Sequence, residues 1–268
     1  MKKHYKLVAV DIDGTLVNDQ KEILDETLKT IHEAIDKNAI FAICTGRPYA
    51  STKRLADKIG RDIPLILYNG GTIRMSQSNE ILYSQILTRK QSEDIYQIIT
   101  ENDGTYIFWS DEKLYTNRIN KFTEVYEKIA TIKPIIVNSK EEVPFDNITK
   151  FIWFEEAETL IEYQKTILKK LEGVNYFTSN PTFLEMVHKD VSKATAMERL
   201  GNYYGIKQEE MIAIGDGFND LPMLDYAGLS IVMENAVFEV KQHADFITLS
   251  NECDGVGHAI RKFILEEK

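Results

Sequence analysis

The chain has 268 residues, 43% hydrophobic and 28% charged. These are ordinary globular proportions, and they exclude a disordered, collagen-like or low-complexity fibrous protein. Its 32 Lys+Arg against 42 Asp+Glu give a formal net charge of −10, which argues against nonspecific binding to nucleic acid or to an anionic membrane surface. At roughly 100–200 residues per domain the length suits one large domain or two smaller ones.

No stretch approaches the roughly 20 apolar residues of a bilayer span. After Met1-Lys2-Lys3-His4-Tyr5, the apolar run Leu7–Val10 stops at Asp11, too short for a secretory leader. Cys44 and Cys253 are the only cysteines, so a reducing, cytoplasmic setting is expected rather than a disulfide scaffold.

Strand and helix signals alternate over the first 75 residues. Lys6–Val10 reads as a short buried strand ending in an Asp-rich turn. Ile23–Asp36 repeats apolar residues at helical spacing, with Asn38 as its stop. Ile40–Cys44 is a second buried strand. Pro48 suits the first turn of a helix that ends near Gly60. Pro64–Tyr68 is a third strand, closed by Asn69-Gly70-Gly71. From about Tyr83 to Glu185 the strands are richer in aromatics, as in Tyr106–Trp109 and Ile148–Phe154, with helices over Glu93–Thr100 and Thr159–Leu171. The first pattern then returns. A helix spans Ser192–Tyr204 and a strand Met211–Ile214. A helix follows the turn at Gly215–Asn219, then Leu229–Met233, a helix over Val237–His243, Phe246–Leu249, and a last helix over Val256–Leu265.

Strands apolar on both faces, separated by helices, predict a doubly wound parallel α/β sheet covered on both sides. The middle predicts an inserted α+β domain. The expected division is 1–82 with 187–268 for the core and 83–186 for the insertion.

Three segments fall where such a sheet holds its ligands, outside the carboxyl ends of the strands. They are Asp11-Ile12-Asp13-Gly14-Thr15-Leu16, Cys44-Thr45-Gly46-Arg47 and Gly215-Asp216-Gly217-Phe218-Asn219-Asp220. Lys193 opens the helix before the third. A carboxylate at Asp11 can attack phosphorus and form an aspartyl phosphate. Asp13, two residues on, can protonate the leaving oxygen and then deprotonate the hydrolytic water. Asp11, Asp216 and Asp220 would converge as three negative charges, and a phosphomonoester adds about two more. That assembly calls for a cation. Mg²⁺ takes oxygen ligands shared among carboxylates, water and phosphate, and Asp11, Asp216 and the backbone carbonyl of Asp13 suit it. Lys193 and the Thr45 hydroxyl supply donors for phosphoryl oxygens.

Taken in chain order, Asp11–Leu16, Thr45–Arg47, Lys193 and Gly215–Asp220 resemble the four motifs of the haloacid dehalogenase superfamily of phosphatases, and more narrowly its Cof-type, sugar-phosphatase-like branch. Asn69-Gly70, Phe183-Leu184-Glu185, Asp190-Val191-Ser192-Lys193 and Asp254-Gly255-Val256 extend the match from about residue 6 to residue 262. The resemblance implies a Rossmann-like core and a mobile cap that selects substrate. It implies Asp11 as nucleophile and Asp13 as general acid/base. Thr45, Gly46, Lys193 and Asn219 would hold phosphate; Asp11, Asp13 and Asp216 would bind Mg²⁺, with Asp220 nearby. The partner implied is a small phosphorylated metabolite, a sugar phosphate or a phosphorylated cofactor. Arg47 has two roles open to it, contact with substrate or pairing with a surface carboxylate. His188 likewise has substrate contact or a hinge position open. Glu234, where this branch commonly carries Gly, brings a further carboxylate to the sheet edge.

Two alternatives use the same motifs: a phosphotransferase or mutase, and a non-catalytic regulator that binds a phosphometabolite. Cys44 as a thiol nucleophile is set aside, because the Arg expected after five intervening residues is Ala50. The five histidines show no zinc spacing. The sequence names no oligomeric state.

Overall fold

The computed structural model describes residues 4–265; the readings that touch residues 1–3 and 266–268 lie outside them. In chain order the elements are β1 (Leu7–Val10), α1 (Asp25–Asp36), β2 (Ile40–Cys44), α2 (Tyr49–Ile59), β3 (Pro64–Leu67), β4 (Thr72–Met75) and β5 (Ile81–Ser84). Next come α3 (Arg89–Glu101), β6 (Thr105–Ser110), β7 (Lys113–Thr116), α4 (Lys121–Ala130), β8 (Ile135–Ile136), β9 (Ile148–Phe154), α5 (Ala157–Lys165), β10 (Val174–Asn180) and β11 (Phe183–His188). The chain ends with α6 (Lys193–Tyr204), β12 (Met211–Gly215), α7 (Leu221–Tyr226), β13 (Leu229–Val232), α8 (Phe238–Lys241), β14 (Phe246–Ile247) and α9 (Gly255–Ile260).

Two compact units result. One comprises Met1–Tyr83 and Ser192–Lys268, the other Ser84–Val191. The first is built on an eight-stranded sheet in the order β14-β13-β12-β1-β2-β3-β4-β5. From β14 to β3 every neighbouring pair is parallel. β1 lies between β12 and β2, so the strand order reverses beside it, and a ligand crevice forms at such a reversal. β1 and β12 are buried at every position. That explains their unbroken apolar runs: a strand covered on both faces has no face left for polar residues.

The parallel reading fails at one edge. β3 is followed by β4, which pairs with it antiparallel, and the chain then turns back into β5. Thr72–Met75 and Ile81–Ser84 are partly exposed, and their mixed composition hid them from a search for buried apolar runs.

Local signals account for the helix limits. Pro48 sits just before α2, and Gly60 closes it in the left-handed conformation, φ 66°, which glycine adopts without penalty. Ser192 caps α6: its hydroxyl accepts from the Thr195 N–H at 3.0 Å. Lys193 thereby becomes the first residue of the helix.

The second unit carries a six-stranded sheet, β10-β11-β9-β6-β7-β8, antiparallel except for β7 with β8. One face is an aromatic core with Tyr106, Phe108, Phe151 and Trp153. The same sheet buries an ion pair. Lys150 Nζ donates to Glu185 Oε2 at 2.9 Å, with the side chains 1% and 7% exposed. Burial alone would push the ammonium down. The Glu185 carboxylate outweighs burial and holds Lys150 above its usual value.

Removing one partner of a buried pair leaves an uncompensated charge. Lys150→Met is therefore expected to destabilise the protein by about 3–5 kcal/mol, and Lys150→Met with Glu185→Leu to recover most of the loss. Urea unfolding of the three proteins measures it; a double variant no better than the single one would contradict it.

Candidate active site

β1, β2 and β12 end side by side, and each hands its next residue to the sheet edge. Asp11 follows β1, with its N–H bonded to the Ile214 carbonyl of β12 at 3.0 Å; Thr45 follows β2, with its N–H on Ile66 at 2.9 Å. Asp216 follows β12. Lys193 arrives from the N-terminus of α6.

Lys193 ties the cluster together. Its Nζ donates to Asp11 Oδ1 at 2.5 Å and to Asp220 Oδ1 at 2.6 Å, and Lys193 and Asp220 are both 1% exposed. Asp220 is saturated. Its Oδ2 accepts the N–H groups of Asp216 at 3.0 Å and Gly217 at 2.9 Å. Asp216 Oδ1 accepts the Thr15 hydroxyl at 2.7 Å. Gly14, at φ 77°, leaves the space that Asp216 occupies; a Cβ there would collide with the carboxylate.

Oxygens of Asp11, Asp216 and Asp220 lie within 4.8 Å of one another. Three carboxylates thus face one ammonium. Burial, followed by repulsion from Asp220, raises Asp11 to about 7 in spite of Lys193. Asp216 rises to about 6, again chiefly by burial, with the Thr15 hydroxyl opposing. Lys193 is held above its usual value, because the charges of Asp11 and Asp220 outweigh its burial. The donors are all oxygens, they converge, and their negative charge is under-compensated. Such a set fits a hard divalent cation.

Asp13 stands apart. Its carboxylate is taken up by Arg47, whose Nε and Nη2 reach it at 2.8 and 2.6 Å, and by Lys21 Nζ at 3.0 Å. Partial burial opposes ionisation, but the two cations outweigh it and hold Asp13 below the usual carboxylate range. Of the two roles open to Arg47, this structure shows pairing with a carboxylate. Ligation through the Asp13 side chain is not what the geometry displays; its carbonyl is the group left for that role.

The remaining candidates fall as follows. Thr45 is buried at 2% exposure, and its Oγ1 accepts the Arg47 N–H at 3.2 Å. Gly46 packs on the Asn69 side chain, with room for a Cβ only at 3.0 Å. Asn219 is exposed on the turn Phe218–Asp220. Glu234 is exposed and outside the acidic cluster. Cys44 is fully buried, and burial pushes its thiol up to about 12, as suits a packing residue. His188 ends β11 in the other unit, where its Nδ1 accepts the Asp190 N–H at 3.2 Å.

Thr15, Lys21 and Asn235 had drawn no role from the sequence. Asn235 Nδ2 donates to the Gly14 carbonyl at 2.8 Å, and its Oδ1 accepts the Asn251 N–H at 3.1 Å, bracing the turn that carries Gly14. Thr15 lies inside the first motif and was visible there as a hydroxyl. The other two had no local signal.

A carboxylate cluster and a buried lysine at the reversal point of a parallel sheet define a hydrolase site of the haloacid dehalogenase type. A family model described as haloacid dehalogenase-like hydrolase matches residues 8–260, and the chain belongs to that family. It is 35% identical to Bacillus subtilis YxeH, over 97% of this chain and 99% of that one. It is 32% identical to the Bacillus subtilis 5-amino-6-(5-phospho-D-ribitylamino)uracil phosphatase YcsE, over 97% and 96%. A solved structure, the subclass IIB sugar phosphatase BT4131, matches with a TM-score of 0.83 at 25% identity, over 96% and 98%. Among the described residues no helix is long and apolar enough to cross a membrane.

The raised carboxylates set a pH dependence. Asp11 and Asp216 hold protons more tightly folded than unfolded, so their contribution to stability is complete below about pH 4 and is lost as pH rises through about 6–7. The chelator-treated protein should lose stability across that window. Asp11→Asn should flatten the loss. Urea midpoints of both proteins across the window measure it; parallel curves would refute the assignment.

Proposed function

We propose that the chain is a Mg²⁺-dependent phosphatase that hydrolyses small phosphorylated metabolites through an aspartyl phosphate on Asp11. The observation that carries this reading is the position of Asp11. It is buried, its Oδ1 is fixed by Lys193 at 2.5 Å, and its Oδ2 has no hydrogen-bond partner among the described residues. One oxygen is held and the other is available.

In the first step the Asp11 carboxylate attacks phosphorus, and the bond from phosphorus to the leaving oxygen breaks as Asp13 delivers a proton to that oxygen. In the second, Asp13 takes a proton from water, which attacks the acyl phosphate and regenerates Asp11. Lys193 stays protonated throughout and offsets charge on the phosphoryl oxygens. The Thr45 hydroxyl, the Gly46 N–H and the Asn219 amide are the directed donors. Asp11, Asp216 and the backbone of Asp13 would hold Mg²⁺, which when bound supplies counter-charge to the carboxylates and phosphoryl oxygens.

Asp13 sets a condition on this scheme. Paired with Arg47 and Lys21 it is ionised, a base rather than an acid. It can donate a proton only after Arg47 releases it and it has taken up a proton from solvent, and a phosphate dianion competes for the same guanidinium fork. Arg47 then contacts substrate, so its two roles belong to two stages.

The substrate class rests on the relatives: one acts on a phosphoribityl uracil and one is a sugar phosphatase. The inserted unit is read as the cap that selects among such substrates, with His188 a candidate contact. The acidic cluster opposes the non-catalytic alternative, since nothing in simple ligand binding calls for an uncompensated buried carboxylate.

Two outcomes are expected. Asp11→Asn should lower phosphate release at least about 10³-fold while the far-ultraviolet circular dichroism spectrum stays unchanged. Chelation with EDTA should silence phosphate release, and Mg²⁺ should restore it. A screen of sugar phosphates and phosphorylated cofactors by released phosphate tests both; turnover that survives either treatment would sink the scheme.

A further inference from the structure

The core unit carries a recess of about 280 Å³, lined by residues with no part in the acidic cluster. β4 and β5 supply Ile73, Leu82 and Tyr83; α6 supplies Arg199, Leu200, Asn202 and Tyr203. Arg199, Asn202 and Tyr203 stand at i, i+3 and i+4 and so share one stripe of the helix. The Arg199 guanidinium lies over the Tyr83 ring, 4.1 Å from its centroid. It makes no hydrogen bond or ion pair with any described residue.

Five of the chain's eight arginines differ in this respect. Arg47, Arg61, Arg89, Arg118 and Arg261 each hold a carboxylate. Acidic residues outnumber basic ones, 42 to 32, yet no Asp or Glu lines the recess. A solvent-exposed cation stands at the edge of a recess with apolar walls, with no acidic side chain in the lining.

We propose that this recess binds a small monoanion with a flat apolar body, of the aryl carboxylate class. A guanidinium takes a carboxylate through two parallel hydrogen bonds. Stacking on Tyr83 already orients the fork, so little rotamer freedom is lost when the bonds form. The Asn202 amide adds a donor at the same rim. Ile73, Leu82, Leu200 and the half-exposed Tyr203 ring cover the body of the ligand. The volume lies just below the roughly 300–1,000 Å³ of drug-sized sites, which limits the occupant to one or two rings. A phosphate dianion is poorly served, with one guanidinium and one amide to hold it. The recess therefore selects a different anion from the one proposed for the acidic cluster.

Calorimetric titration of the full chain tests this, with benzoate and indole-3-acetate as probes and benzamide and inorganic phosphate as controls. At least one aryl carboxylate is expected to bind with a Kd of about 1 mM or tighter. Benzamide and phosphate should bind at least about tenfold more weakly. Arg199→Gln should cost at least about tenfold in Kd for the carboxylate. It should leave the melting temperature and phosphate release unchanged, because Arg199 is exposed and remote from the acidic cluster in the chemistry proposed. Tyr203→Ala is the second variant and should weaken the aryl probes. No binding of either carboxylate, equal binding of benzamide, stronger binding of phosphate, or full affinity in Arg199→Gln would each overturn the proposal. Binding is read without turnover, so it stands or falls apart from the phosphatase reading.

Discussion

One buried ammonium organises this protein's chemistry. Lys193 donates to carboxylates 182 residues before it and 27 after it, and almost none of it meets solvent. Taking such charges out of water costs several kcal/mol per ion, and the pairing offsets that only in tight geometry. The geometry is set by main-chain structure. β1 and β12 pair in register, Leu7 with Met211 through Val10 with Ile214, which brings the residues after each strand to one edge. The Ser192 cap starts α6 so that Lys193 is its first residue. The positive end of the helix then faces the same carboxylates and adds to the attraction.

The carboxylates divide the work by how they are bonded. Both oxygens of Asp220 are committed, one to Lys193 and one to two backbone N–H groups. It holds the loop after β12 in shape, and it keeps Lys193 charged. Asp11 and Asp216 each retain an oxygen for outside use, and they are the two whose ionisation the site resists. On the proposed reading, a site built this way stores unfavourable charge in the groups that act and places the stabilising bonds on the group that does not. Such separation of poised and anchoring groups is what preorganisation requires of a polar site.

Most of the core was legible because its physics is local. Leu7–Val10, Ile40–Cys44, Pro64–Leu67 and Met211–Gly215 are apolar on both faces and could only be buried strands, and the polar motifs stand directly at their carboxyl ends. The β4–β5 edge was not legible, since a half-exposed hairpin follows no single burial pattern. The Arg47–Asp13 pair was half legible: Arg47 was expected to find either substrate or a carboxylate, but nothing local says which carboxylate 34 residues away will meet it. Asn235 shows the limit. Its contact with Gly14 spans 221 residues, so only the folded chain displays it.

The site splits its charge into two regions. Around Asp11 negative charge is in excess and buried. Around Asp13 positive charge is in excess and partly exposed, because Arg47 and Lys21 share one carboxylate. A phosphoryl group carries negative oxygens and an electrophilic centre, so it needs both regions at once. The nucleophile must come from the acidic side and the counter-charge from the basic side. With Asp13 bound to Arg47, the basic side is occupied by a surrogate anion that the chain itself supplies. On the proposed scheme the arriving phosphate replaces that surrogate, and the replacement leaves Asp13 free to take up a proton from solvent. On that proposal, binding is what allows the acid to be activated. The proposed coupling rests on Asp13 lying two residues beyond Asp11 on a turn that Gly14, at φ 77°, allows to bend.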